Sequence, residues 1–374
     1  MEYFRLEEVA TFVNGYAFSR EKYKDRGIPI IRISDIDEEI KLGNCICYPE
    51  KSLEKLKEYT VKKGSLLIAL SGATTGKMGV FNSDRIAYLN QRICSIFSKD
   101  KNLLQEYLIF YLKNLKEIIL KNSYGGAQPN ISSKWLEKRV IGIPSLTEQK
   151  KIVVILDKLV TTINKKKKQI NLLEELVKSR FIEMFGDPIK NEKGWEESYL
   201  KNLSVIIMGQ SPPSNSYNNI GKGLPFYQGN IDFGDKYPKL NKFCSEPLKI
   251  AKKKSILMSV RAPVGEINIT NWDCCIGRGL CSLELKESLN IEYLYNYLKN
   301  IIVTVKSKSK GSTFKSINKL EIENIKVLLP SLSLQNEFAE FVTKTNKLKF
   351  EVEKSLKEME NLYESLMQKF FKQN

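Results

Sequence analysis

The chain has 374 residues and carries 60 lysines and arginines against 43 acidic residues, a formal net charge of +17 at pH 7. So large a positive charge favours a polyanionic partner, with nucleic acid first and an acidic membrane surface or acidic protein second. The sequence contains no histidine, which removes the usual general base, the usual metal ligand and any serine–histidine catalytic arrangement.

The cysteines and the apolar segments narrow the class of protein further. Seven cysteines are scattered without a C-x-x-C pair, and without histidine a zinc site would need four of their thiolates. They are typical of reduced, mostly buried thiols. No secretion signal opens the chain, and no apolar run reaches the roughly 18 residues that a transmembrane helix needs. We therefore predict a cytoplasmic protein with no membrane contact, no metal site and no catalytic residue.

The first globular region is predicted to cover residues 1–144. Short β-like runs at 28–33, 65–70 and 92–97 alternate with glycine-bearing turns, and a helix is expected over 103–120. This mixture predicts an α+β domain.

A long helix is predicted over residues 145–186. Ser145 and Glu148 form an S-x-x-E capping box, and apolar residues then recur at alternating steps of four and three. A glycine and a proline end the pattern. At about 1.5 Å per residue the helix would span roughly 60 Å, which is too long for an ordinary globular helix.

The rest of the chain repeats this order, with a linker over 187–194, a second globular region over 195–330 and a second long helix over 331–374. Adding 186 to the apolar positions of the first helix gives a second, mostly apolar series, and the same offset relates Gln149 to Gln335. This is an internal duplication. The predicted fold class is α+β: two mixed α/β domains, a pseudo-twofold repeat, and two long helices that pair as an antiparallel coiled coil.

A glycine-rich loop follows one of the predicted strands. The loop is similar to a P-loop and contains Ser71, Thr74, Thr75 and Lys77. A P-loop, however, requires a glycine at the position of Ser71 and a serine or threonine at the position of Met78. Nucleotide binding is therefore rejected. Small hydroxyls, backbone amides and a lysine after a strand can instead contact a DNA phosphate or base edge, and an ordinary surface turn is the alternative.

Side chains that match base edges occur in other loops of both halves. Asn and Gln pair bidentately with adenine, and Arg pairs with guanine. One such residue alone is more often solvated than base-reading, but a set in corresponding loops of a basic, duplicated chain favours DNA reading. The candidates are Arg32, Asn90, Gln91, Arg92, Gln128 and Asn130 in the first half, and Gln228, Asn230, Arg261, Arg278, Thr313 and Lys315 in the second.

Together these features resemble the specificity subunit of type I restriction–modification systems. The resemblance lies in the order of the parts and in the Pro-Ser-Leu-Thr-Glu-Gln start of the first long helix, which ends with Arg-Phe-Ile-Glu-Met-Phe-Gly-Asp-Pro at 180–188. Segments 71–77, 125–132 and 311–317 look like parts of the target recognition domains of that family. The resemblance covers the whole chain.

The resemblance implies that regions 1–144 and 195–330 are target recognition domains, each reading one half of a split site in double-stranded DNA, while the helices fix the spacer. The helices would also bind two methyltransferase subunits, which use S-adenosylmethionine. Two restriction subunits, which use ATP and Mg²⁺, can join them. No cofactor is expected on this chain. The helix residues expected at these subunit interfaces are Gln149, Ile152, Leu156, Leu173, Arg180, Phe185, Gln335, Phe338, Met359 and Phe370.

Two alternatives of other classes stay open at this point. A detached piece of a fused restriction–methylation enzyme predicts a methyltransferase motif, and the sequence contains neither a G-x-G-x-x-G opening a helix nor an Asn/Asp-Pro-Pro-Tyr/Phe motif. A coiled-coil scaffold that does not bind DNA predicts no salt-sensitive binding to duplex DNA.

Overall fold

The chain folds as two compact units. In the computed structural model of the protein, residues 1–43, 45–123, 130–308 and 316–372 are described, and residues 303–308 are described by their backbone alone. Each unit combines one globular region with a segment of each long helix. Unit 1 consists of Met1–Lys165 and Leu356–Asn374, and unit 2 of Lys166–Ser355.

The globular region of unit 1 mixes short strands with short helices. Its strands are β1 Glu2–Arg5, β2 Ala10–Asn14, β3 Ile28–Ile31, β4 Cys47–Tyr48, β5 Leu66–Ala69, β6 Met78–Val80, β7 Tyr88–Leu89, β8 Ile93–Ser98 and β9 Val140–Ile143. Its helices are α1 Leu6–Val9, α2 Leu53–Leu56, α3 Gln105–Asn114, α4 Lys116–Lys121 and α5 Ser133–Glu137, followed by the long helix α6 Leu146–Phe185, which continues into unit 2.

Within the described residues these strands form a β1–β9 pair, a four-stranded sheet in the order β2-β8-β5-β6, and a three-stranded sheet in the order β4-β3-β7. The main core of unit 1 lies where the four-stranded sheet meets α3, with Leu66 and Ile96 from the sheet and Leu108 from the helix all buried. Ile152 and Leu156 of α6 belong to the same core, so this helix segment is part of the domain rather than an appendage.

Unit 2 repeats the same order of elements. Its strands are β10 Glu196–Tyr199, β11 Ser204–Met208, β12 Tyr217–Asn218, β13 Leu224–Tyr227, β14 Phe243–Cys244, β15 Ile250–Ala251, β16 Ile256–Ser259, β17 Ile267–Ile269, β18 Cys274–Ile276, β19 Leu280–Leu285 and β20 Lys326–Leu329. Its helices are α7 Leu200–Leu203, α8 Ile291–Lys308 and α9 Lys319–Glu323, followed by the long helix α10 Leu332–Phe370, which ends in unit 1.

The sheets of unit 2 correspond to those of unit 1. The described strands form a β10–β20 pair, a four-stranded sheet in the order β11-β19-β16-β17, and a five-stranded sheet in the order β12-β14-β13-β18-β15. The core again joins the four-stranded sheet to a helix, here α8, and includes Phe181 and Phe185 of α6 with Phe338 of α10.

Both long helices begin with a serine that caps the first turn. The Ser145 hydroxyl accepts a hydrogen bond from the backbone N–H of Glu148 at 3.3 Å, and the Ser331 hydroxyl accepts one from Leu334 at 3.4 Å. Each satisfies a backbone donor that the helix itself cannot pair. The same sequence signal therefore starts the helix in both repeats.

A buried glutamine anchors each long helix to its globular region. The Gln149 side chain accepts from the backbone N–H of Leu104 at 2.9 Å and donates to the carbonyls of Asn102 at 2.6 Å and Pro144 at 2.9 Å. Gln335 makes the matching bonds in unit 2, accepting from Asn290 at 2.9 Å. Both side chains are almost fully buried, so each holds the start of its helix against the globular region, and the predicted contact with another subunit stays a prediction.

Replacing Gln149 with leucine is expected to lower the free energy of unfolding of unit 1 by about 1–3 kcal/mol, because buried backbone groups would lose their partners. Calorimetric unfolding of the full chain measures the loss. Gln368→Leu is the matched control, since Gln368 is exposed in the same unit and its replacement should leave the stability nearly unchanged. Equal losses from both variants would contradict the anchoring role.

Candidate nucleic-acid interface

The loops predicted to read DNA in unit 1 meet at one edge of its sheets. Strands β3 and β7 are parallel neighbours, so Arg32 and Asn90, which follow them, leave the sheet at the same end. The backbone N–H of Asn90 donates to the carbonyl of Ile31 at 3.0 Å. This bond fixes the two loops against each other.

The other predicted loops join this edge through backbone pairing. Ser71 and Asn130 form an antiparallel β-bridge, and the N–H of Leu70 donates to the carbonyl of Arg92 at 2.9 Å. Gln128 lies outside the described residues. We name the four groups brought together here the strand-end cluster of unit 1: Arg32, residues 71–77, residues 90–92 and Asn130.

The predicted base reader Arg32 is already paired within the cluster. Its Nε lies 3.1 Å and its Nη2 3.3 Å from the two carboxylate oxygens of Asp35. This hydrogen bonding raises the pKa of Arg32 above its ordinary value. This pairing uses two of the five guanidinium N–H donors and holds the side chain in one orientation, so Arg32 fixes the loop and keeps three donors for a ligand.

The hydroxyl groups of the glycine-rich loop do not all face outward. Thr75 is buried, and its hydroxyl donates to the carbonyl of Gly72 at 2.7 Å. The hydroxyl oxygen of Thr74 is buried as well. The phosphate contact predicted for these two threonines would therefore require their hydroxyl groups to turn outward. Ser71 stays partly accessible, and Lys77 is exposed, 3.7 Å from Asp37, a surface ion pair that DNA can displace at little cost.

A tight turn forms the tip of the cluster. The backbone N–H of Ile93 donates to the carbonyl of Asn90 at 3.0 Å, which leaves Gln91 and Arg92 exposed in the turn and Asn90 half-buried. Gly15 packs so closely that a Cβ there would lie 2.0 Å from the Asn90 carbonyl oxygen. The turn is thus held from below by backbone that tolerates no side chain.

In unit 2 the corresponding residues line a groove of about 260 Å³. Four predicted readers contribute to its wall, two amides and two guanidinium groups. Glycine and alanine backbone fills the remainder, and among the described residues no acidic side chain lines the groove. Thr313 and Lys315 lie outside the described residues. The four readers are Gln228, Asn230, Arg261 and Arg278.

Two residues that sequence reasoning did not select hold this groove in shape. The Asp232 carboxylate accepts from the backbone N–H groups of Gln228 at 2.7 Å and Gly229 at 3.3 Å. The Ser211 hydroxyl accepts from the N–H of Arg278 at 3.2 Å. Asp35 makes the same kind of bond in unit 1, accepting from the backbone N–H of Arg32 at 2.9 Å, so the two units share this device.

The helix residues predicted at subunit interfaces differ in exposure. Leu173, Arg180, Met359 and Phe370 are half-buried, and the Arg180 guanidinium lies 3.1 Å from the Glu337 carboxylate within unit 2. The others are buried in the interior of their own unit, and their contact with a second subunit stays a prediction. These buried residues are Gln149, Ile152, Leu156, Phe185, Gln335 and Phe338.

The chemistry of the described residues offers no metal centre. They contain no group of three cysteine, aspartate or glutamate side chains placed to hold a metal ion. All seven cysteines are free, and six are buried. Burial raises the pKa of the Cys94, Cys274 and Cys281 thiols to about 12, so these thiols stay protonated near neutral pH. No helix in the described part of the chain is long and apolar enough to cross a membrane.

Comparison with known proteins points to one family. The family model of the type I restriction modification DNA specificity domain matches residues 1–175 and 192–360. A Methanocaldococcus jannaschii protein assigned as the specificity subunit of the type I restriction enzyme MjaX is 32% identical over 391 residues, covering 96% of this chain and 91% of that protein. The Escherichia coli EcoBI specificity subunit is 22% identical, covering 98% of this chain and 84% of that subunit.

Solved structures agree with this assignment. A chain from a type I restriction–modification system, solved to explain complex assembly and conformational transition, superposes with a TM-score of 0.64 at 26% identity, over 99% of this chain and 97% of that chain. The S subunit from M. genitalium superposes with a TM-score of 0.62 at 17% identity, over 100% and 96%, which shows the fold alone. The resemblance predicted from the sequence is confirmed, and the chain belongs to the family of type I restriction–modification specificity subunits.

Proposed function

We propose that this chain reads a bipartite site in double-stranded DNA, with region 1–144 reading one half and region 195–330 the other. The observation that carries the proposal is the repeat of one backbone framework with different side chains at its edge. Ser71 bridges to Asn130 in unit 1, and Arg261 bridges to Ser316 at the same place in unit 2. Two unlike half-sites require this combination of a shared scaffold and different readers.

The charge of the molecule supports DNA as the ligand. The net charge is +17, and the residues that the structure describes around the groove of unit 2 include no acidic side chain. Cations near a duplex release counterions and supply affinity that falls steeply with salt. The chain itself would contribute recognition, and a cytoplasmic location would place it with the DNA.

We further propose that the two long helices form an antiparallel coiled coil with pseudo-twofold symmetry. Within unit 2, Glu174 of α6 pairs with Lys349 of α10 at 2.6 Å, and Arg180 of α6 pairs with Glu337 at 3.1 Å. The residue number on α10 falls as that on α6 rises, as antiparallel packing requires. Such a pair would hold the reading clusters at a fixed distance and so set the spacer between half-sites.

The helices would also carry two methyltransferase subunits. Leu176 in unit 2 and Leu362 in unit 1 are related by the offset of 186 and are 47% and 44% exposed. Exposed apolar side chains that the internal repeat places at equivalent positions would give the two subunits equivalent docking sites. S-adenosylmethionine would be bound by those subunits, and ATP and Mg²⁺ by the two restriction subunits that can join the complex.

Methylation mapping tests the proposed function. The chain is co-expressed with the methyltransferase encoded beside it, and methylated bases are mapped by single-molecule sequencing. We expect a split motif with two defined halves and a constant gap. If the methyltransferase binds the chain but no new methylation appears, and duplex DNA is not bound in a salt-sensitive way, the DNA-reading proposal is wrong and a scaffold role replaces it.

A further inference from the structure

We name the residues that line the groove of unit 2 its strand-end cluster. Its tip and the tip of the strand-end cluster of unit 1 are built on the same backbone hydrogen bonds. In unit 1 the N–H of Ile93 donates to the carbonyl of Asn90 at 3.0 Å, and in unit 2 the N–H of Leu280 donates to the carbonyl of Gly277 at 3.0 Å. Two turns closed by the same bond at the start of equivalent strands, β8 and β19, place their central residues in equivalent positions.

Three further backbone bonds fix the match residue by residue. Each joins the turn to a different neighbouring strand, and each has a counterpart of nearly equal length in the other unit. The bond from Asn90 N to Ile31 O (3.0 Å) corresponds to that from Gly277 N to Tyr227 O (2.8 Å). The bond from Leu70 N to Arg92 O (2.9 Å) corresponds to that from Val260 N to Gly279 O (2.9 Å). The bond from Gly15 N to Ile93 O (2.9 Å) corresponds to that from Gly209 N to Leu280 O (2.9 Å). Under this match, Gln91 and Arg278 occupy the same position.

Both tip side chains are available to a ligand. Gln91 and Arg278 are exposed, and neither side chain makes a hydrogen bond or ion pair with another residue in the described part of the chain. Arg32, by contrast, has its guanidinium engaged by Asp35. A donor-rich side chain with no internal partner breaks no bond when it meets a base, and the rigid turn confines the entropy loss to the side chain itself.

The backbone beneath Arg278 is held especially firmly. Its N–H donates to the Ser211 hydroxyl at 3.2 Å. The flanking glycines pack on Gln228, and a Cβ at Gly279 would lie 2.4 Å from the Gln228 carbonyl oxygen. Arg278 therefore projects from a backbone clamped on both sides, in the groove that Gln228 and Arg261 also line.

Resting on the proposed function, we propose that these two equivalent residues select different bases: Arg278 reads a guanine in the half-site of unit 2, and Gln91 reads an adenine at the corresponding place in the half-site of unit 1. Arginine donates twice to the O6 and N7 acceptors of guanine, whereas glutamine donates to N7 and accepts from N6 of adenine. The shared turn presents either side chain from the same direction. The two half-sites thus differ in base type at matched positions.

Arg92 and Arg261 have different places in this arrangement. Arg92 follows Gln91 in the turn, and its counterpart in unit 2 is Gly279, where no side chain fits. Arg261 belongs to the loop after β16 and is joined to Ser316. These arginines add charge near the duplex, and their contribution is a phosphate contact that does not distinguish sequences.

A reciprocal exchange tests the proposal. The chain carrying Arg278→Gln or Gln91→Arg is co-purified with the methyltransferase, and its motif is mapped on genomic DNA. We expect Arg278→Gln to replace one G·C pair by A·T in the second half-site and leave the first unchanged, and Gln91→Arg to do the reverse. Discrimination at the affected position should change by roughly 5- to 150-fold, the range of one bidentate base contact.

Lys201→Gln provides the matched control. Lys201 is an exposed cation of unit 2 on α7. Helix α7 precedes the start of β11, which pairs with the last residue of β19, Leu285, whereas Arg278 lies just before the first residue of β19. This variant should keep the original motif. If Arg278→Gln lowers methylation of all sites equally and leaves the motif unaltered, Arg278 is a phosphate contact and the proposal is overturned. Absence of any motif with the unaltered chain would overturn the proposed function and this inference together.

Discussion

Replacing Phe181 with alanine is expected to lower the free energy of unfolding of unit 2 by about 3–5 kcal/mol, the usual cost of removing a fully buried phenylalanine. The ring is completely buried. Its centroid lies 5.0 Å from that of Phe185, 5.8 Å from Tyr293 and 5.5 Å from Phe338. The change therefore opens a cavity where both long helices meet the globular region, and the rigid rings around it cannot close the space.

Urea denaturation followed by tryptophan fluorescence measures this loss. Of the three tryptophans, Trp135 lies in unit 1, so a Trp135→Phe background leaves both remaining reporters in unit 2. Phe350→Ala is the matched control, because Phe350 is 67% exposed on α10 in the same unit and its replacement should change stability by less than about 0.5 kcal/mol. A small loss for Phe181→Ala, similar to that of the control, would show that the helices are not integral to unit 2.

The duplication and the long helices could be predicted from the sequence because their signals are local. A serine cap, a regular apolar series and a terminal glycine predicted a helix over 145–186, and α6 runs over Leu146–Phe185. The predicted strand at 65–70 is found as β5. The helix expected over 103–120 is divided at Leu115 into α3 and α4, because the backbone of Leu115 departs from helical geometry with a ψ of −5°. The apolar series continues through this residue, so the sequence pattern does not mark the break.

The environment of the polar helix residues could not be predicted in the same way. Gln149 bonds to Leu104, which is 45 residues away in sequence, so its burial depends on tertiary contacts that no helical pattern encodes. Lys349 is another example. It replaces an apolar residue in the series, yet it is 13% exposed and joins Glu174 and Asp235 at 2.6 and 2.7 Å. A charge on an apolar face is compatible with either a solvated break or a buried pair, and only the fold distinguishes them.

The strand-end clusters were predicted in part. The candidate loops were selected because base-reading side chains have a recognisable chemistry, and the parallel pairing of β3 with β7 brings several of them to one edge. Which side chains stay free is a separate matter. Arg32 and Gln91 are both candidate base readers in the sequence. In the structure the Arg32 guanidinium donates to Asp35, three residues away, whereas the turn leaves the Gln91 side chain exposed.

Lengthening both long helices by four residues is expected to change the recognised spacer while both half-sites stay the same. The insertions are placed after Lys167 and Glu353, positions related by the offset of 186, so that both helices of the proposed pair grow together. Four residues add about 6 Å of helix, and one base pair adds about 3.4 Å of duplex. The preferred gap should therefore lengthen by one or two base pairs.

Methylation of the original motif should fall by roughly a hundredfold or more, because the displaced cluster loses several base contacts of about 1–3 kcal/mol each. Mapping methylated bases with the lengthened chain and its methyltransferase measures both the preferred gap and the remaining methylation of the original motif. Replacing residues 165–168 by four alanines is the matched control, since it alters the same lysine run without changing helix length, and it should preserve the gap. An unchanged gap in the lengthened chain would mean that the spacing between half-sites is fixed by the globular regions rather than by the helices.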